Sequence, residues 1–250
     1  MAVIGIFDSG SGGLSVYREI VKILPQERYV YFADNAHCPY GEKTAAYIQD
    51  RARTITRTLL SKGADIIVVA CNTATGAAIA TLRAEFPETP FIGMEPAVKP
   101  AALGTRSGVV GVLATAGTLK ASKYLMTKGK YEGDVTIVEN VGQGFVELVE
   151  NGILDGPEAE KTVSAALQPL LDRGADTIVL GCTHYPFLSP VIERLAGPGV
   201  QVIDPAPAVA RQTLRILHEK GIPTGGDASF SVELLSSGSP ESLQRIFRYL

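Results

Sequence analysis

The sequence has no apolar run long enough to cross a membrane and no cluster of lysine or arginine. A spanning helix needs about 20 apolar residues, so a membrane-embedded chain is not expected. Net charge is −3, which argues against nucleic acid as a main partner, because binding it takes a basic surface. The start, Met1 to Asp8, has no basic segment and too short an apolar stretch for a secretory leader. It opens directly on the first strand, so regulation through an N-terminal extension is not expected. The expected compartment is the cytoplasm. Cysteine is scarce: Cys38, Cys71 and Cys182 are the three, and no two have CxxC spacing. That argues against a structural zinc site and a thiol–disulfide exchange motif, and leaves three reduced thiols. No metal is expected. No lysine stands out at a strand end as a Schiff-base candidate, so neither pyridoxal phosphate nor another cofactor is expected.

With 46% hydrophobic and 20% charged residues, the chain has the composition of a globular protein with a real core. Its organising stretch is Gly63 to Thr73: a glycine helix cap, the β-branched run Ile66-Ile67-Val68-Val69, then Cys71-Asn72-Thr73. The same layout returns 111 residues later in Gly174 to His184, ending in Cys182-Thr183-His184. Such fully apolar runs bounded by turn signals fit strands buried on both faces of a parallel sheet. Two further matches keep the same order. Gly5-Ile6-Phe7-Asp8-Ser9 parallels Gly111-Val112-Leu113-Ala114-Thr115, and Glu95-Pro96-Ala97 parallels Asp204-Pro205-Ala206. Collinear matches of this kind argue for duplication. The fold expected is α/β, with two similar parallel-sheet domains related by a pseudo-twofold axis and a cleft between them. The first domain comprises residues 1–97 plus the returning tail 208–250, and the second residues 98–207.

Taken in order, strands are expected at Val3 to Phe7, Arg28 to Ala33, the first Cys run, Pro90 to Gly93, Ser107 to Leu113, Val135 to Val138, the second Cys run, Val200 to Ile203 and, at an edge, Phe230 to Ser236. Helical spacing marks Leu14 to Leu24, Thr44 to Lys62, Ala74 to Glu85, Leu119 to Lys128, Pro157 to Arg173, Pro190 to Ala196, Ala208 to Lys220 and Pro240 to Leu250. The glycine-rich Asp8 to Gly13 lacks the Lys-Ser/Thr of a P-loop and carries Ser15 where a dinucleotide fingerprint needs glycine. It reads as a tight turn that lets backbone approach whatever lies above the sheet.

In open α/β sheets ligands bind beyond the carboxyl ends of strands, which is where Cys71 and Cys182 stand. Two thiols on opposite faces of one carbon can remove a proton from one side and return one from the other, which is racemisation without a cofactor. The anionic intermediate needs fixed donors, and Ser9, Tyr40, Gly41, Asn72, Thr73 and Thr183 can supply them. Asp8 can orient a substrate ammonium or assist a base, or simply hold a turn. His184 can share in proton transfer or serve packing. A strand cysteine is often only core, but the duplicated position and polar followers favour chemistry. A two-lobed amino-acid-binding protein remains the alternative from another class.

Together, Phe7-Asp8-Ser9-Gly10-Ser11-Gly12-Gly13-Leu14, Cys38-Pro39-Tyr40-Gly41, Ala70-Cys71-Asn72-Thr73-Ala74, Glu95-Pro96 and Gly181-Cys182-Thr183-His184-Tyr185-Pro186 resemble the cofactor-independent aspartate/glutamate racemase family, glutamate racemase in particular. The resemblance covers nearly the whole chain. It implies interconversion of L- and D-glutamate, as small-molecule substrate, to supply D-glutamate for peptidoglycan, and a homodimer. It implies Cys71 as the thiol acting on the D-enantiomer and Cys182 on the L-enantiomer, assisted by Asp8, His184 and Glu150. Substrate contacts would fall on Asp8, Ser9, Tyr40, Gly41, Asn72, Thr73, Thr118, Thr183 and His184. An aspartate racemase, or one for another amino acid, is the nearest alternative. The chain departs from the family around Gly142 to Glu150, where a Cys-Pro pair commonly precedes Phe-Val and a proline stands in place of Glu147. Cys38 reads as a pocket-lining thiol without a catalytic part.

Overall fold

The computed structural model describes residues 1–225 and 230–250. The first half runs β1 (Val3–Asp8), α1 (Leu14–Ile23), β2 (Arg28–Ala33), α2 (Ala45–Ser61), β3 (Ile66–Val69), α3 (Asn72–Glu85) and β4 (Phe91–Ile92). The second runs α4 (Val98–Gly104), β5 (Val109–Ala114), α5 (Ala116–Leu119), α6 (Ser122–Gly129), β6 (Thr136–Val141), α7 (Phe145–Glu150), α8 (Pro157–Leu171), β7 (Thr177–Gly181), α9 (Ser189–Ala196) and β8 (Gln201–Ile203). The tail adds α10 (Ala206–Glu219), β9 (Ser231–Ser236) and α11 (Glu241–Phe247).

Two sheets form, and every strand pair in them is parallel. Their orders are β4-β3-β1-β2-β9 and β6-β5-β7-β8. Without β9, the two sheets have the same strand order, so the sequence repeat is a structural repeat as well. The repeat is also visible in its details. Gly63 and Gly174 both adopt positive φ, at 86° and 84°, ending α2 and α8 in the left-handed turn that glycine tolerates best. The aspartate two residues later does the same job in each half. Asp65 accepts the backbone N–H of Val3 at 2.8 Å. Asp176 accepts those of Arg106 and Ser107 at 2.8 Å and the Thr105 hydroxyl at 2.6 Å. Each carboxylate thereby anchors the approach to its neighbouring strand.

The strands β3 and β7 are buried throughout, since helices cover both faces of each sheet. One apolar cluster runs through both halves and includes Ile6 and Val68 of the first sheet and Ile178 and Leu180 of the second. The tail touches both halves: β9 pairs with β2, α10 packs on α1, and α11 packs on α7. Among the described residues no helix is long and apolar enough to cross a membrane.

Three local differences from the expected elements have simple causes. The helix α3 starts at Asn72 rather than about Ala74, because the Cys71 sulfur itself accepts the Ala74 N–H at 3.4 Å and acts as the N-cap. The single helix expected over Leu119 to Lys128 is two, because Thr115 caps an earlier turn at the Thr118 N–H and α6 starts afresh at Ser122. The short α4 was not expected: only Val98 and Ala101 in it are buried, which leaves too little periodicity to read.

The tail is tied to the loop after β2 by Asn35. Its amide nitrogen donates to the Ser239 carbonyl at 2.6 Å, and its oxygen accepts from the Ser236 hydroxyl at 2.7 Å and the Gly238 N–H at 3.1 Å. Asn35→Ala removes all three. We expect it to lower the unfolding free energy by about 1–3 kcal/mol, read as a lower urea midpoint with an unchanged slope.

Candidate active site

The site grows from the carboxyl ends of β1, β3 and β7. Asp8, the last residue of β1, is fully buried and accepts the N–H groups of Gly10 at 3.2 Å and Gly13 at 3.0 Å, plus the Thr183 hydroxyl at 3.4 Å. It therefore shapes the glycine loop as well as facing the other half. Burial pushes its pKa up, opposed by the charge of His184 and the Gly13 N–H. The loop comes so close to the second half that a Cβ on Gly12 would overlap the His184 ring, so only glycine fits there.

The two thiols are both nearly enclosed, at 5% exposure for Cys71 and 7% for Cys182, but their partners differ. The Cys71 sulfur lies 3.9 Å from the Ser9 hydroxyl and accepts from the helix N-terminus. Burial, and then the negative charge of Asp8, push its pKa well up, while the Ala74 N–H pulls the other way. The Cys182 sulfur lies 3.7 Å from Nδ1 of His184. The opposite ring nitrogen, Nε2, lies 2.8 Å from a Glu150 oxygen that also accepts the Ser11 N–H at 2.7 Å. Burial works against a charged His184, but its hydrogen bonds to Cys182 and Glu150 overcome this and raise its pKa well above the ordinary value. Burial likewise opposes the charge on Glu150. The His184 hydrogen bond and charge prevail, and its pKa falls to about 2.

Both sulfurs line one narrow cavity, together with Ser9, Tyr40, Gly41, Asn72, Thr73, Thr115, Thr183 and His184, and with Pro39 and Val146. Asn72 is 4% exposed, yet neither its amide nitrogen nor its oxygen has a partner. Buried amides are normally satisfied, so this one is available to whatever fills the cavity. Tyr40 lines the wall with its hydroxyl turned away: it donates to Asp34 at 2.5 Å, and Asp34 in turn takes two hydrogen bonds from Arg51 at 2.7 and 2.9 Å.

The structure gathers Ser9, Tyr40, Gly41, Asn72, Thr73, Thr183, His184 and both thiols on one cavity, with Asp8 directly behind. Glu150 stands behind His184. Thr118 stands behind the wall, its hydroxyl 3.2 Å from Thr73 and 3.0 Å from Thr115. Thr115, itself 2.9 Å from Thr73, is a lining residue not singled out from sequence. The signal was present, since Thr115 is the repeat counterpart of Ser9. The Asp34–Arg51 pair carried no sequence signal, because it joins a loop to a helix face.

Comparison with known proteins identifies the family. Residues 4–213 match the family described as Asp/Glu/Hydantoin racemase. The glutamate racemase of Ectopseudomonas mendocina is 47% identical over 249 residues, covering 100% of this chain and 94% of its own. Among solved structures, Escherichia coli glutamate racemase in complex with L-glutamate and the activator UDP-MurNAc-ala has a TM-score of 0.87 at 33% identity, covering 99% of this chain and 94% of that one. Francisella tularensis glutamate racemase in complex with D-glutamate has a TM-score of 0.85 at 28% identity, covering 99% and 92%. The family match spans most of the sequence and the relatives align along all of it, so the chain belongs to the Asp/Glu/Hydantoin racemase family and is an amino-acid racemase.

Proposed function

We propose that this racemase interconverts L- and D-glutamate by a two-thiol proton transfer at Cα, supplying D-glutamate for peptidoglycan. The observation that carries this reading is the pair of sulfurs, from equivalent strand ends of two like sheets, on one small cavity. Both enantiomers of glutamate occur with the structural relatives described above. With Cα seated between the sulfurs, the ionised thiol takes the α-proton and the neutral thiol across the cavity delivers its own proton to the opposite face. The reverse direction exchanges the roles. On the first side, Asp8, behind the cavity wall and in contact with Cys71, takes the Cys71 proton. On the second, His184 and Glu150 do the corresponding work for Cys182. No arginine or lysine is among the cavity-lining residues. Carboxylate charge, and the negative charge that develops in the intermediate, therefore fall to N–H groups, hydroxyls and the Asn72 amide.

In deuterium oxide, wild-type protein given L-glutamate should yield D-glutamate carrying deuterium at Cα, and the converse from D-glutamate. Cys71→Ser and Cys182→Ser should each lose racemisation by at least about 10²-fold, the lower range for a positioned acid or base. Full activity in either variant would sink the two-thiol scheme, and unlabelled product would exclude exchange with solvent through a thiol.

Glu150 gives a second test. Its carboxylate raises the pKa of His184, and activity that needs the imidazolium is lost as pH rises through that value. Glu150→Gln removes the negative charge, so the alkaline limb of the kcat profile should move to lower pH. The loss of one charge-assisted hydrogen bond is about 1.5–3 kcal/mol, or roughly a 10–100-fold fall in turnover. An unshifted limb would remove Glu150 from the proton chain.

A further inference from the structure

The two-thiol scheme leaves Cys38 unused. Its sulfur, a Glu150 carboxylate oxygen and a His184 ring nitrogen all lie within 4.8 Å of one another. This is a sulfur, oxygen and nitrogen donor set brought together from three distant segments. Metal–ligand bonds of about 2.0–2.3 Å put the donors of one tetrahedral ion between three and four ångströms apart, so closing the set takes small side-chain movements. Burial pushes the Cys38 thiol up to about 12, so it rests protonated, and nothing in the racemisation calls on it.

The cluster also has its own approach. A groove of about 440 Å³ reaches Cys38 and Glu150 from outside the substrate cavity and carries Glu147 and Glu241 beside them. Its one basic residue, Arg245, donates to the Asn151 carbonyl at 2.6 Å. Three carboxylates, Glu147, Glu150 and Glu241, against the single engaged arginine give the groove a local negative field that favours cations, and a thiolate with imidazole and carboxylate suits zinc.

We propose that Cys38, Glu150 and His184 form a binding site for a thiophilic divalent cation such as Zn²⁺, and that its occupation stops turnover. Binding exchanges the cation for two protons, one from the Cys38 thiol and one from the Nε2 side of His184. Both protons leave to solvent, and a water from the groove can take the fourth position. With Nε2 ligated, His184 can no longer take up and release the proton it shares with Glu150, so the proton chain serving Cys182 is broken. The inhibitory consequence rests on the racemase reading above, whereas the binding itself does not.

Cobalt(II), titrated into the full-length protein, is the binding probe. Wild type should develop a thiolate-to-cobalt charge-transfer band that Cys38→Ser and Cys38→Ala lack, although both retain Cys71 and Cys182. Added Zn²⁺ should inhibit wild type, while the two variants, fully active without zinc, should need at least about tenfold more for equal inhibition, as loss of a ligand or its support commonly demands. An undiminished cobalt band in the variants, or equal zinc sensitivity, would overturn the site. A Cys38-dependent band in a protein that fails to racemise glutamate would keep the site and reject the glutamate reading.

Discussion

The carboxylate of Glu150 is the joint on which the two halves meet. One of its oxygens accepts the Ser11 N–H from the first half and faces Nε2 of His184 in the second, at 2.7 and 2.8 Å. A buried charge without partners costs several kcal/mol, so both partners are needed to keep Glu150 ionised. That requirement fixes three things together: the gap between the halves, the rotation of the His184 ring that turns Nδ1 toward Cys182, and the close passage of the glycine loop beneath that ring. The bare Cα of Gly12 follows from the same joint.

Duplication placed the sulfurs equivalently, and divergence made them chemically unequal. Each cysteine follows the third strand of its half, β3 or β7, which lies beside that half's first strand. Cys71 is backed by Asp8, Ser9 and a helix N-terminus, whereas Cys182 is backed by an imidazole and a carboxylate. The repeat counterpart of Asp8 is Ala114, and that of Thr73 is His184. Each half thus keeps one strong auxiliary group where its twin has a different residue. The two-thiol transfer proposed above draws on both features: similar positions to reach both faces of one carbon, and unlike environments to hold one proton between two thiols.

The sequence made the fold legible wherever the signal was local or repeated. Buried β-branched runs, glycine caps and collinear motifs marked the strands and the two like parallel-sheet halves, because a run apolar on both faces belongs inside a sheet; the order of the strands within each sheet comes from the structure. The site residues legible from sequence sit directly after strand ends, where the chain itself delivers them. Less legible were groups delivered by packing. Glu150 reaches His184 from a short helix whose flanking residues are atypical for the resemblance, and Asp34 meets Arg51 across a loop and a helix. The hydroxyl of Tyr40 could not be oriented from sequence, since its direction depends on that pair. Thr115 was legible in principle through the repeat, but only by carrying the role of Ser9 across to its twin.

The treatment of polar groups around the cavity separates scaffold from recognition. The Tyr40 hydroxyl is engaged by Asp34, itself held by Arg51, and the hydroxyls of Thr73, Thr115 and Thr118 form a closed triangle. These groups are satisfied before any ligand arrives, so they stiffen the wall and keep the Tyr40-Gly41 turn against the second half. Among the described cavity-lining residues, only Asn72 has a buried amide with both polar atoms unpaired. Leaving such a group unpaired costs about 1–3 kcal/mol. A ligand that pairs with it recovers that energy, and one that cannot leaves it unrecovered. A site with unpaired buried polar groups rejects analogues lacking the matching atom far more strongly than an apolar pocket does. Selectivity in this cavity therefore depends more on what meets the Asn72 amide than on the volume between the sulfurs.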